Sequence, residues 1–135
     1  MRKFPFISLV NSLVLLRYAI ALVFIAHAVV RVTGGTVTRF GEFLSSKGFL
    51  YGTPMVWMIT TYEIAGGLLL AFGYFTKLLS AGFIGILAVG IVIIHAQQGW
   101  FVGEHGTGGS EYSFILMIAL LVIAAASKRE PADAK

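Results

Sequence analysis

Four apolar stretches follow one another along this 135-residue chain, and they restrict its fold more than any other feature. They cover residues 9–32, 54–72, 78–96 and 111–126. Each comes close to the ~20 residues with which a helix crosses a hydrocarbon core about 30 Å thick, although the last is short. None alternates as a barrel strand would, so each must satisfy its backbone hydrogen bonds within a helix. The sequence therefore predicts an all-α, integral membrane four-helix bundle.

The overall composition is that of a membrane protein. Hydrophobic residues make up 58% of the chain and charged residues 12%, whereas soluble domains average about 25% charged residues. The mean hydropathy is +0.89. We expect one transmembrane domain over residues 1–127 and a polar cytoplasmic tail over residues 128–135. The first apolar stretch is too long for a signal peptide and contains Arg17, so it is predicted to be a retained helix.

The distribution of basic residues predicts that both termini face the cytoplasm. Cytoplasmic flanks of membrane spans are enriched in lysine and arginine. In a four-span protein the N-terminus, the second connection and the tail share one side, and they carry Arg2, Lys3, Lys77, Lys128 and Arg129. The opposite side carries Arg31, Arg39 and Lys47, together with Glu42, Glu104 and Glu111. The net charge of +4 is explained by these flanks, and no nucleic-acid partner is predicted.

The connection between the first two spans contains a short amphipathic pattern. Phe40, Phe43 and Leu44 are spaced i, i+3, i+4, with charged residues between and around them. This spacing places the apolar side chains on one helix face. We therefore expect a short helix lying on the outer membrane surface.

Glu63 is the one charged residue in the stretch 54–72, and it requires a partner. An unpaired charge within a membrane span is costly, and such residues often mark functional sites. Helix rise places Arg17 roughly 12 Å and Glu63 roughly 14 Å from the cytoplasmic side. The sequence thus predicts a buried Arg17–Glu63 ion pair. It leaves open whether that pair only fixes the register of the bundle or lines a polar cavity.

A second polar group is predicted at the outer ends of the helices. His27 and Arg31 in the first span, His95 at the end of the third, and Glu111 at the start of the fourth come to similar heights. Such a group could hydrogen-bond the carbonyls of a quinone. Metal or haem ligation by these residues, with His105 as a further candidate, is disfavoured because the spacing matches no metal motif. We predict no metal site, and a quinone is the one cofactor that the pattern suggests.

The absence of cysteine restricts the chemistry further. Disulfides, thiol redox reactions and iron–sulfur ligation by this chain are excluded. A redox role would need a bound organic cofactor, a histidine-ligated metal or a partner subunit. No nucleophile elbow is present, and hydrolysis is not expected.

An ordered set of residues extends over nearly the whole chain: Arg17, His27, Gly48, Pro54, the segment Glu63-Ile-Ala-Gly-Gly-Leu-Leu-Leu, Gly73, Thr76, His95, Gly99-Trp-Phe and Gly109-Ser-Glu-Tyr. In this set the chain resembles the DoxX family of small four-helix membrane proteins. It departs from the family at Ala28, where members commonly have glycine, and at Arg31, which takes the place of a nearby lysine.

The resemblance implies a multi-pass protein of the bacterial inner membrane that is linked to redox physiology. A related branch, DoxD, looks like the membrane subunit of a thiosulfate:quinone oxidoreductase, and other members are associated with stress. The leading hypothesis is an accessory or quinone-interacting subunit that works with other membrane or respiratory subunits. The alternatives are a small proton-coupled carrier that uses Glu63, and a purely structural subunit of a larger membrane complex.

Overall fold

The computed structural model describes residues 4–103 and 108–127, and these residues are helical without any strand. The helices are α1 (Leu9–Thr33), α2 (Val37–Ser46), α3 (Gly52–Phe72), α4 (Thr76–Ile93) and α5 (Glu111–Ala126), with a short 3-10 turn at His95–Gln98. The all-α prediction is confirmed.

Three helices, α1, α3 and α4, are long and apolar enough to cross a membrane. The fourth apolar helix, α5, has 16 residues. Helix α2 lies where the amphipathic pattern predicts a helix, and it buries Val37, Gly41 and Leu44. The expected span 78–96 differs in part: α4 begins earlier, at Thr76, and the α-helix ends at Ile93 before the 3-10 turn.

The helices pack as a bundle with two distinct ends. Helix α1 packs on α3 and also contacts α5, α4 packs closely on α5, and α3 and α4 have less contact with each other. The tight turn of residues 73–75 joins α3 to α4. We call the end with this turn the turn end, and the end with α2 the α2 end.

Aromatic rings from α1, α3 and α4 pack against each other in the middle of the bundle. Phe24 stacks on Phe83 with ring centroids 4.0 Å apart, and Tyr62 contacts Phe83 at 4.9 Å. The Tyr62 hydroxyl donates a hydrogen bond to the carbonyl of Leu79 at 3.0 Å. The core around these rings includes Leu70 and Leu120, and both are fully buried.

A glycine contact holds α2 against the start of α3. A Cβ atom at Gly52 would collide with the carbonyl of Gly41, and one at Gly41 would collide with the backbone of Thr53. Glycine at both positions lets the two backbones approach closely, as in other small-residue helix contacts. Helix α2 is thereby fixed across the end of the bundle, and this sets one boundary of the site described below.

Several sequence-based expectations fall outside the described residues. These expectations concern the tail at 128–135, which includes Lys128 and Arg129, and the residues Arg2, Lys3, Glu104 and His105.

Candidate functional site

A largely apolar cavity of about 760 Å³ lies in the half of the bundle toward the α2 end. All five helices contribute to its wall, and so do parts of the connection between α4 and α5. Its size falls within the range of about 300–1,000 Å³ that is typical of small-molecule sites. The polar side chains on the wall are His27, Arg31, Glu63, His95, Tyr112 and Ser113.

Glu63 forms its ion pair with Arg31 on this wall. Arg31 Nη1 donates to Glu63 Oε2, and Nη2 donates to Oε1 at 3.3 Å, so the guanidinium hydrogen-bonds both carboxylate oxygens. The two side chains are 13% and 6% exposed. A two-pronged contact of this kind suits the planar guanidinium fork.

The prediction that Arg17 pairs with Glu63 is therefore wrong. The Cα–Cβ bonds of a helix tilt toward its N-terminus. Since α1 and α3 run in opposite directions, Glu63 points toward the α2 end, and Arg31 reaches back from the end of α1 to meet it. Arg17 lies nearer the turn end, so the same tilt carries its side chain away from Glu63, and its guanidinium lies beside Gly73. Matching Cα depths alone ignored these opposed directions.

Two neighbours complete the surroundings of Arg31. Its Nη1 also donates to the Thr60 hydroxyl oxygen at 2.8 Å, and that hydroxyl donates to the carbonyl of Val56 at 2.7 Å. Thr60 precedes Glu63 by three residues and so shares its helix face. The guanidinium also lies over the ring of Phe40 on α2, 5.5 Å from the ring centroid, in cation–π geometry.

His27 lies one helical turn before Arg31 and also lines the cavity. Its Nδ1 is 3.2 Å from the carbonyl oxygen of Val23. A carbonyl oxygen can only accept a hydrogen bond, so Nδ1 carries the proton in this contact. In the neutral ring, Nε2 is then left as an acceptor.

His95 reaches the cavity from the 3-10 turn that follows α4. Its Nδ1 is buried and has no hydrogen-bond partner within the described part of the chain. A buried polar atom without a partner is uncommon and calls for an explanation such as a ligand or water. His95 thus brings a buried ring nitrogen with unused hydrogen-bonding capacity to the cavity wall.

Glu111 does not belong to the cavity wall. Its Oε1 accepts a hydrogen bond from the backbone N–H of Val102 at 2.8 Å, and its own N–H donates to the carbonyl of Trp100 at 3.0 Å. Both contacts hold the connection between α4 and α5 against the start of α5. Val102 and Gly109 of this connection line the cavity, so Glu111 positions part of the wall without facing it.

The structure thus brings His27, Arg31 and His95 together with Glu63, and separates them from Arg17 and Glu111. Sequence reasoning missed Thr60, Phe40 and Tyr112. The i, i+3 spacing of Thr60 and Glu63 could have identified Thr60. Among the described residues, no cluster of three or more histidine, aspartate or glutamate side chains could hold a metal ion.

Comparison with known proteins gives one match. The family model named DoxX matches residues 12–96, which include α1, α2, α3, α4 and His95. No curated protein and no solved structure matches. The matched segment is more than half of the chain and carries Arg31, Glu63, His27 and His95. With its apolar helices, the chain is a membrane protein, and it belongs to the DoxX family.

Proposed function

We propose that this protein binds a lipid-soluble quinone in the cavity, as an accessory or quinone-interacting subunit of a membrane redox system. The observation that carries the proposal is His95 on the wall of a mainly apolar cavity, because its buried Nδ1 has no hydrogen-bond partner among residues 4–103 and 108–127. A quinone offers carbonyl oxygens to such a donor and an apolar ring and tail to the rest of the wall. This combination of an apolar slot with few polar groups is typical of small-molecule sites.

The two histidines have complementary capacities for the two redox forms of such a ligand. His95 Nδ1, when protonated, donates to a quinone carbonyl. His27 Nε2 accepts, because Nδ1 already donates to Val23, and it would suit the hydroxyl of a quinol. The chain has no cysteine and so ligates no iron–sulfur cluster of the usual kind. Electrons would therefore come from another membrane or respiratory subunit.

The proposed topology has four spans in the bacterial inner membrane, with both termini in the cytoplasm. Helix α5 rises only about 24 Å, but it packs closely on α4, which is itself long enough to cross a membrane. The turn end would be cytoplasmic, since Lys77 lies there. In this topology Arg2, Lys3, Lys128 and Arg129 flank the same side as Lys77. These five basic residues outnumber Arg31, Arg39 and Lys47 on the opposite side, where Arg31 is also neutralised by Glu63.

Quinone extraction after gentle purification tests the proposal. We expect the wild-type protein to retain close to one quinone per chain, and His95→Ala to lose most of it. Gln98→Ala is the matched control, since Gln98 is exposed on the same 3-10 turn and does not line the cavity. Absence of quinone from the wild type across several quinone classes, or equal retention by His95→Ala, would contradict the proposal.

A proton-coupled carrier is the second candidate, and the position of Glu63 on the cavity wall favours it. In this state both carboxylate oxygens are bound by Arg31, so proton uptake would require the ion pair to open. Glu63→Gln should then abolish transport while the protein stays folded. Retained transport by that variant would exclude this mechanism.

A purely structural subunit would instead co-purify with a larger complex through exposed aromatics such as Trp57 and Trp100.

A further inference from the structure

Arg17 is a cation in a membrane helix without a counter-charge among the described residues. Its Nε is buried and lacks a hydrogen-bond partner there. The guanidinium lies beside Gly73 and 6.0 Å from the centroid of the Tyr18 ring. A charge that is partly withdrawn from water at this position is costly unless an anion lies close by.

The carboxylates of the described residues do not supply that anion. Glu63 is held by Arg31, and Glu111 accepts from the backbone of Val102. Glu42 is exposed on α2, at the opposite end of the bundle. The ring of Tyr18 and the C-terminal dipole of α3 each stabilise a cation only weakly at a surface. They leave a full positive charge to be balanced.

The surroundings of Arg17 indicate that its guanidinium reaches the depth of the lipid headgroups. The side chain points toward the N-terminus of α1, and long basic side chains extend in this way to the membrane interface. Gly73 ends α3 with φ 83°, in the left-handed region. A Cβ atom at this position would lie 2.9 Å from Arg17 Nη1, so glycine leaves space for the guanidinium. Tyr74 and Phe75 beside it are exposed, as aromatic residues of an interfacial belt are.

We propose that Arg17 binds the phosphate of an anionic phospholipid at the turn end. The guanidinium fork matches two phosphate oxygens, and the net negative charge of the lipid balances the cation. The exposed apolar side chains of Leu22, Leu68 and Leu69, which lie deeper along α1 and α3 than the guanidinium, offer surface for the acyl chains. This surface distinguishes a lipid from free phosphate as the source of the anion. The site is separate from the quinone cavity and does not depend on it.

Lipid retention in nanodiscs of phosphatidylcholine with a minor fraction of phosphatidylglycerol tests this site. Native mass spectrometry would count the phosphatidylglycerol molecules that remain on each chain. We expect one to be retained by the wild type, on the order of tenfold weaker retention by Arg17→Gln, and partial retention by Arg17→Lys. Arg39→Gln is the matched control, because it removes the same charge from an exposed position on α2.

A second measurement does not depend on the folding of any variant. The thermal midpoint of the wild type should rise when phosphatidylglycerol is added to phosphatidylcholine, and inorganic phosphate at millimolar concentration should leave it unchanged. Equal retention of both lipids by the wild type would overturn the proposal, since the counter-charge would then come from elsewhere. Unchanged retention by Arg17→Gln would overturn it as well. Stabilisation by phosphate equal to that by the lipid would assign the site to a free anion and reject the lipid.

Discussion

Arg31 and Glu63 meet because they lie on antiparallel helices and point toward each other along the bundle. Arg31 lies close to the end of α1, whereas Glu63 lies near the middle of α3, and the long arginine side chain spans the difference. The contact uses both carboxylate oxygens, with Thr60 as a further acceptor. One ion pair thereby joins α1 to α3 and forms part of the cavity wall.

A double-mutant cycle should locate the partner of Glu63. We expect Arg31→Met and Glu63→Leu each to lower the free energy of unfolding by about 3 kcal/mol, because each leaves a buried charge unpaired. The double variant should lose less than the sum by about 1 to 3 kcal/mol. Unfolding in mixed micelles measures these values. In the parallel cycle with Arg17→Met, additivity within about 0.5 kcal/mol is expected, and coupling there instead would refute the pair described above.

Thr60→Val should destabilise the protein by about 1 kcal/mol. The valine keeps the shape of the side chain but removes the hydroxyl that accepts from Arg31 and donates to Val56. Thr61→Val is the control, since the neighbouring threonine is exposed. The same unfolding assay applies, and equal effects of the two substitutions would show that the hydroxyl of Thr60 contributes nothing specific.

Alanine substitutions at two helical glycines should have opposite effects. Gly52→Ala forces a Cβ into the carbonyl of Gly41 and should cost several kcal/mol of unfolding free energy, of order 3 kcal/mol. Gly85→Ala enters open space and should stabilise by about 0.5–1 kcal/mol through helix propensity. Thermal midpoints would report the signs. A neutral Gly52→Ala would mean that α2 is not held by backbone contact.

Gly90→Leu should reduce ligand retention without loss of stability. Gly90 lines the cavity, and nothing lies within 4 Å of a Cβ built there, so a leucine side chain would occupy space that the ligand needs. Ala81→Leu on the same helix is the control, because Ala81 is exposed and outside the cavity. Quinone extraction gives the readout. Equal quinone content in the two variants would place the ligand elsewhere.

Hydropathy alone predicted the helical class and the approximate position of every long helix. The apolar stretches are long, and their limits are marked by glycine and polar residues, as at Gly73. The amphipathic pattern also predicted α2. These features follow from the local sequence alone, and they do not depend on how the helices are arranged.

The partner of Glu63 depended on information that local sequence does not hold. Arg17 and Arg31 are fourteen residues apart on α1 and share nearly the same face, so helical periodicity alone could not choose between them. The direction of side chains on antiparallel helices made the choice. Glu111 was misplaced for a similar reason, since its role depends on how the connection at residues 99–103 folds back.

The open space around Gly85 and Gly90 shows that the cavity's free volume and its polar groups come from different helices. The polar side chains of the wall come mainly from α1 and α3 and from the turn at His95, whereas part of the free space exists because Gly85 and Gly90 on α4 have no side chain. A single substitution on α4 would therefore reduce the free space while the hydrogen-bonding groups remain in place. Under the proposed function, α4 would set the bulk of the ligand that fits, and the other helices would set its polar contacts.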